Sequence, residues 1–88
     1  MHVTVISPER ALFDGEADAV VAPAFDGLVG ILPRHAPFLT LLGEGVLRVH
    51  RGKGSATGVF RVAGGFLQVM GETVRVVADR AENSEEQR

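Results

Sequence analysis

Eighty-eight residues, 45% of them hydrophobic, make a single domain, and a chain of this length buries only about 60–65% of its extended surface on folding, so partners would help it. A formal charge of −2, with nine basic residues scattered between Arg10 and Arg88, argues against nucleic acid, and the lack of cysteine removes disulfide frameworks and thiolate metal sites. No apolar stretch approaches the roughly 20 residues that span a bilayer, and no basic-then-apolar leader precedes the first alternating segment, so membrane association is expected only through another protein.

Hydrophobic periodicity is two almost throughout, which predicts strands. The first half offers residues 2–6, a short segment at 10–13 and residues 17–22. Asp14, Glu16 and Asp18 alternate and resemble a metal-binding comb, but three acids on an edge strand are better read as a solvated face that resists aggregation.

The run PAFDGLVGILPRHAPFL, residues 23–39, fits neither a helix nor a plain strand. Proline cannot donate to a β-ladder and glycine marks turns and bulges, so Pro23, Gly27, Gly30, Pro33 and Pro37 confine it to very short strands joined by fixed turns. Leu28, Val29, Ile31, Leu32, Phe38 and Leu39 outnumber what one face of such strands buries, so some are expected outside as contact surface. His35 either fixes a turn by hydrogen bonding or stands at a protein interface; with no carboxylate close in sequence, a catalytic role is disfavoured.

Residues 45–50, 59–63, 66–70 and 74–78 continue the alternation, with hairpin breaks at 51–55 and 71–73, so the second half reads as an antiparallel meander. Gly64-Gly65 is expected to be a tight turn or bulge where a Cβ is excluded. After Asp79 nothing larger than alanine anchors the chain. The division is therefore a β domain over residues 1–79 and a flexible or short helical tail over 80–88. The fold class is all-β: an antiparallel β-sandwich or flattened barrel of about eight to ten short strands, whose edges Pro8, Pro23 and Pro37 would block.

A search for chemistry returns no phosphate loop, no zinc-protease or nucleophile-elbow pattern, and serines without a sequence-local base, so no catalytic residue, cofactor or metal is expected. Gly52-Lys53-Gly54-Ser55 has the letters of a phosphate loop but not its length or following helix, and reads as a hairpin turn.

Asp26-Gly27, Gly30-Ile31-Leu32-Pro33, His35-Ala36-Pro37 and Gly64-Gly65-Phe66-Leu67 together resemble the N-terminal domain of the epsilon subunit of bacterial rotary ATP synthases. Ser7-Pro8-Glu9-Arg10, Leu12-Phe13, Gly15-Glu16, Leu47-Arg48-Val49 and Ala78-Asp79 follow in the family's order, and the match runs over residues 3–82. The resemblance implies a β-sandwich in the central stalk. Such a subunit links gamma to the c-ring and couples proton-driven rotation to ATP synthesis without chemistry of its own. It also implies a peripheral position on the cytoplasmic face of the bacterial inner membrane. Carried over position by position, Ser7, His35 and Thr40 face gamma, while Asp26, Gly27 and Leu28 meet the ring. Leu28 departs from the acidic or polar residue common there, so it either makes that contact apolar or turns inward. Most of the family continues into a C-terminal helical hairpin that restrains ATP hydrolysis and in some members binds ATP; neither property carries to these residues. The isolated chain is expected to be monomeric, and the alternative is a stand-alone β-sandwich binding module.

Overall fold

Gly64 and Gly65 decide the architecture, because both hold positive φ (73° and 104°) in the middle of the longest strand. A Cβ on Gly65 would lie 2.0 Å from the carbonyl oxygen of Val77, so only glycine fits. The computed structural model describes residues 1–52, 54 and 56–84, in eight strands: β1 (His2–Ile6), β2 (Ala11–Glu16), β3 (Ala19–Ala24), β4 (Gly27–Ile31), β5 (Phe38–Leu41), β6 (Glu44–His50), β7 (Gly58–Met70) and β8 (Thr73–Asn83). The 59–63 and 66–70 segments are thus one strand bent at its glycines, not two strands around a turn.

The bend leaves a clear signature in the side chains. Phe60 and Val62 point inward before the glycines and Leu67 and Val69 after them, so the inward positions change parity along β7. β8 does the same, with Val74, Val76 and Ala78 inward on one side of Asp79 and Ala81 against the core on the other. The register between the two strands is unchanged across the bend. A hairpin that keeps its register while switching its inward face has been folded over, and it carries the sheet with it.

One edge of β7 is shared: residues 58–63 pair with β6 and residues 66–69 with β5. The sheet order is β2-β1-β8-β7-β6-β3-β4, with β5 off that path. The first layer is therefore β2, β1 and the near half of the β7–β8 hairpin with β5; the second is the far half with β6, β3 and β4. This is a β-sandwich made from one sheet not closed into a barrel. Val3, Val5, Val20, Leu47, Val49 and Val76 are fully buried between the layers. Each such side chain contributes on the order of 1.5–3 kcal/mol. No polar or charged side chain is buried among the described residues.

Three further expectations need correction. The sandwich is not wholly antiparallel, since β1 pairs with β8 in parallel, His2 opposite Thr73 and Val5 opposite Val76. Residues 80–83 are not a frayed tail but the end of β8, paired with Phe60 to Ala63, because Ala81 is enough to seat that end on the core. Pro23 does not block an outer edge. It is buried within β3 where β6 has left the ladder, its missing donor is not needed, and its carbonyl accepts from Gly43 N–H at 2.8 Å. The hairpin turn expected at 52–55 joins β6 to β7; Lys53, Ser55 and residues 85–88 lie outside the described residues.

Candidate functional site

The sequence-derived contact residues lie at three places on this frame. Ser7 opens the β1–β2 turn, where its N–H and hydroxyl both donate to the carbonyl of Arg10, at 2.9 and 3.3 Å. Asp26, Gly27 and Leu28 form the tip of the β3–β4 hairpin and the start of β4, all exposed. Leu28 is 75% exposed, which resolves its direction: it faces outward, away from the core. His35 and Thr40 bracket the start of β5.

His35 does fix a turn. Its N–H donates to the carbonyl of Leu32 at 3.2 Å, Nδ1 lies 2.8 Å from the carbonyl oxygen of Ala36, and the ring meets Phe38 edge-on at 5.6 Å. Thr40 lies on the same side of β5 as Phe38, which packs on the core, and is half-buried opposite Leu67. The outward positions of β5 are consequently Leu39 and Leu41, at 66% and 61% exposure.

The registers place Leu41 opposite Phe66, Phe66 opposite Val77, Val77 opposite Ile6 and Ile6 opposite Ala11. These five residues form one apolar row across the outer face of the first layer. None is fully buried. The next row is mostly polar: Leu39, Gln68, Arg75, Thr4 and Asp14. Phe25, 68% exposed, extends the apolar row at its β5 end, where its N–H donates to the carbonyl of Leu41 at 3.1 Å. There Phe25, Leu39, Thr40, Leu41, Phe66 and Gln68 line a shallow depression of about 660 Å³. Ser7 follows Ile6 and Thr40 precedes Leu41, so both predicted residues flank this row. A contiguous apolar strip exposed on a sheet face, with a mostly polar row beside it, has the make-up of a protein-docking surface.

At the opposite corner the outer face is ionic. His2 Nε2 lies 2.6 Å from Asp14 and Nδ1 lies 3.1 Å from Glu16, while the amino terminus lies 3.7 Å from Glu16. Hydrogen bonding to Glu16 and then to Asp14 raises the His2 pKa, and the same contact with His2 lowers that of Glu16. Asp18, the third tooth of the supposed comb, accepts from Gly52 N–H at 2.6 Å. The comb thus serves to tie β2 to β1 and a loop to β3.

Sequence reasoning missed Ile6, Phe25, Leu41, Phe66 and Val77. The available signal was Phe66-Leu67-Gln68-Val69-Met70, where Phe66 and Met70 are apolar out of phase with Leu67 and Val69. A strand with apolar residues on both faces needs two surfaces to cover it.

The domain model for the β-sandwich domain of the ATP synthase delta/epsilon chain matches residues 1–84. The ATP synthase epsilon chain of Caulobacter vibrioides is 43% identical over 81 residues, covering 92% of each chain. Those of Leptospira borgpetersenii and Roseiflexus are 43% and 41% identical and cover 90% and 98% of this chain; this chain spans 61% and 60% of their lengths. Among solved structures, a chain of the Euglena gracilis mitochondrial ATP synthase superposes with TM-score 0.81 at 24% identity, covering 96% of this chain and 53% of that one. A chain of the Tetrahymena thermophila central stalk and c-ring structure does so with TM-score 0.80 at 19% identity, covering 98% and 68%. These two likenesses establish the fold.

Proposed function

Because this chain belongs to the ATP synthase delta/epsilon family through its β-sandwich domain, we propose that it works as the epsilon subunit in the central stalk of a rotary ATP synthase. It holds the gamma subunit against the outer face of its first layer and meets the polar loops of the c-ring with Asp26, Gly27 and Leu28. Rotation of the ring is thereby carried to the catalytic head, and proton translocation is coupled to ATP synthesis. The subunit performs no chemistry. Among the described residues no helix is long and apolar enough to cross a membrane, and attachment on the cytoplasmic face is through its partners.

The observation that carries this reading is the apolar row of Leu41, Phe66, Val77, Ile6 and Ala11, flanked by Ser7 and Thr40. A row of this kind on a rigid sheet supplies binding energy by burial without rearrangement. The core beneath it is closely packed, so a torque applied on one side reaches the other with little loss to deformation. His35 is assigned to the gamma side of the same contact through the turn that it rigidifies. The test is a pull-down with this chain from its native membrane fraction, expected to recover gamma and c subunits. Leu41→Asp should abolish recovery of gamma while leaving the melting temperature of the isolated chain unchanged within a few degrees. Recovery of neither subunit by the unsubstituted chain would refute the assignment.

A further inference from the structure

We infer that Arg34 is a partner-binding residue whose guanidinium engages a carboxylate of the gamma subunit, and that the fold carries it at a cost to its own stability. The inference rests on the stalk reading above and deepens it. Arg34 has φ = 68° and is the sole non-glycine residue with positive φ among the described residues. It sits third in the turn from Leu32 to His35, behind Pro33 and closed by the His35 N–H to Leu32 carbonyl bond of 3.2 Å. This is the position at which a type II turn calls for glycine. A left-handed backbone is unfavourable for a long side chain, and arginine lacks the short polar group with which asparagine or aspartate eases it.

Arg34 is exposed, and among the described residues no ion pair or hydrogen bond of the side chain offsets that cost. The turn itself does not need arginine, since its closure is made by main-chain atoms and its rigidity comes from Pro33 and from His35 packed on Phe38. A strained, exposed residue whose side chain makes no ion pair or hydrogen bond among the described residues, on a turn made rigid by its neighbours, is a feature of a binding surface and not of a fold. The chemistry fixes the class of partner group. A guanidinium on a pre-organised support recognises a planar anion with two parallel hydrogen bonds, and on a protein partner that anion is a carboxylate. Gamma is the partner because His35, the next residue, is assigned to that side.

The test compares Arg34→Gly and Arg34→Lys in the purified chain and in its binding to the cognate catalytic head with gamma, stripped of this subunit. Arg34→Gly relieves the backbone and should raise the melting temperature by about 2–5 °C, the relief being partly offset by the freedom glycine gains when unfolded. The same substitution should weaken binding to the head about 10-fold, as loss of one charge-assisted contact does. Arg34→Lys keeps both charge and strain, so its melting temperature should stay at the wild-type value and its affinity fall between the two. An Arg34→Gly chain that binds as tightly as wild type overturns the proposal, as does one that melts no higher. If the unsubstituted chain does not bind the head, both this proposal and the stalk reading fail; if it binds and Arg34→Gly makes no difference, only this proposal does.

Discussion

The two outermost strands of the folded sheet, β2 and β4, have equivalent places in the fold, each paired on one side only, and are built in opposite ways. β2 carries Asp14 and Glu16 outward, is irregular against Val5 and Ile6, and is clasped to β1 by His2. Charge and irregularity of this kind keep a neighbouring chain from adding to an edge. β4, from Gly27 to Ile31, holds no charged residue and turns Leu28 to solvent. Its only protections are its five-residue length and its glycines. The difference teaches that edge protection in a small sandwich is selective: one edge is closed, and the other, whose first residues Gly27 and Leu28 the family resemblance assigns to the c-ring, is left available.

The strongest way to break the comparison is to remove the core on which both edges hang. Val76 lies under the β1–β2 side and Val49 under the β3–β4 side, both fully buried. Val76→Asp or Val49→Asp places a carboxylate among apolar neighbours at a cost of several kcal/mol, comparable with the whole stability of a domain of this size, and should abolish the cooperative melt by circular dichroism. Gly65→Ala attacks the fold line instead. With φ = 104° and the Val77 oxygen 2.0 Å from the new Cβ, about 2–4 kcal/mol of destabilisation is expected, read as a fall in the denaturation midpoint with an unchanged slope. A melt equal to wild type would mean that the bend does not require glycine.

A smaller and more selective effect is expected at the open edge. Leu28→Arg should leave the melting temperature within about 2 °C of wild type, since the side chain touches solvent, yet reduce ion-coupled ATP synthesis by membranes several-fold. Intact coupling would sever the link between β4 and the ring. The smallest effect concerns the closed edge. The raised pKa of His2 means that its contribution is complete below its ordinary value of 6.5 and is lost as pH rises through the higher folded-state value. The lowered pKa of Glu16 means that its contribution is present above its ordinary value of 4.5 and lost as pH falls through the lower folded-state value. The clasp is therefore fully engaged between about pH 4.5 and 6.5. His2→Gln should melt slightly below wild type at pH 5.5, with the gap closing by pH 9. A gap that persists at pH 9 would assign the effect to packing, not charge.

Much of the fold was legible because the signal is local. Alternation at Leu47 and Val49, or at Val74 and Val76, needs no knowledge of the partner strand. The family resemblance lay in turn residues, where glycine and proline are dictated by backbone geometry. The bend in β7 is local and marks the sequence in the change of parity from Phe60 and Val62 to Leu67 and Val69, but two glycines between apolar segments read equally as a turn between two strands. The parallel seam of β1 on β8 joins residues far apart in sequence and leaves no mark on alternation within one segment. The candidate site was half legible for the same reason. Ser7, His35 and Thr40 carry the family's pattern, but the row from Leu41 to Ala11 exists only when five strands are aligned, and each member alone looks like an ordinary core residue.

The parallel seam also bears on how the domain comes into being. Among the described strands β1 pairs only with β2 and β8, and β8 is the eighth of them in chain order. On a translating ribosome, Val3 and Val5 emerge before residues 73–77 and wait, unsheltered on one flank, until those are free of the exit tunnel. Loop closure over some seventy residues is slow relative to a local hairpin. The first of the eight strands in chain order is thus among the latest to be secured. A chaperone that holds the nascent β1 segment would therefore act on a slow step of folding.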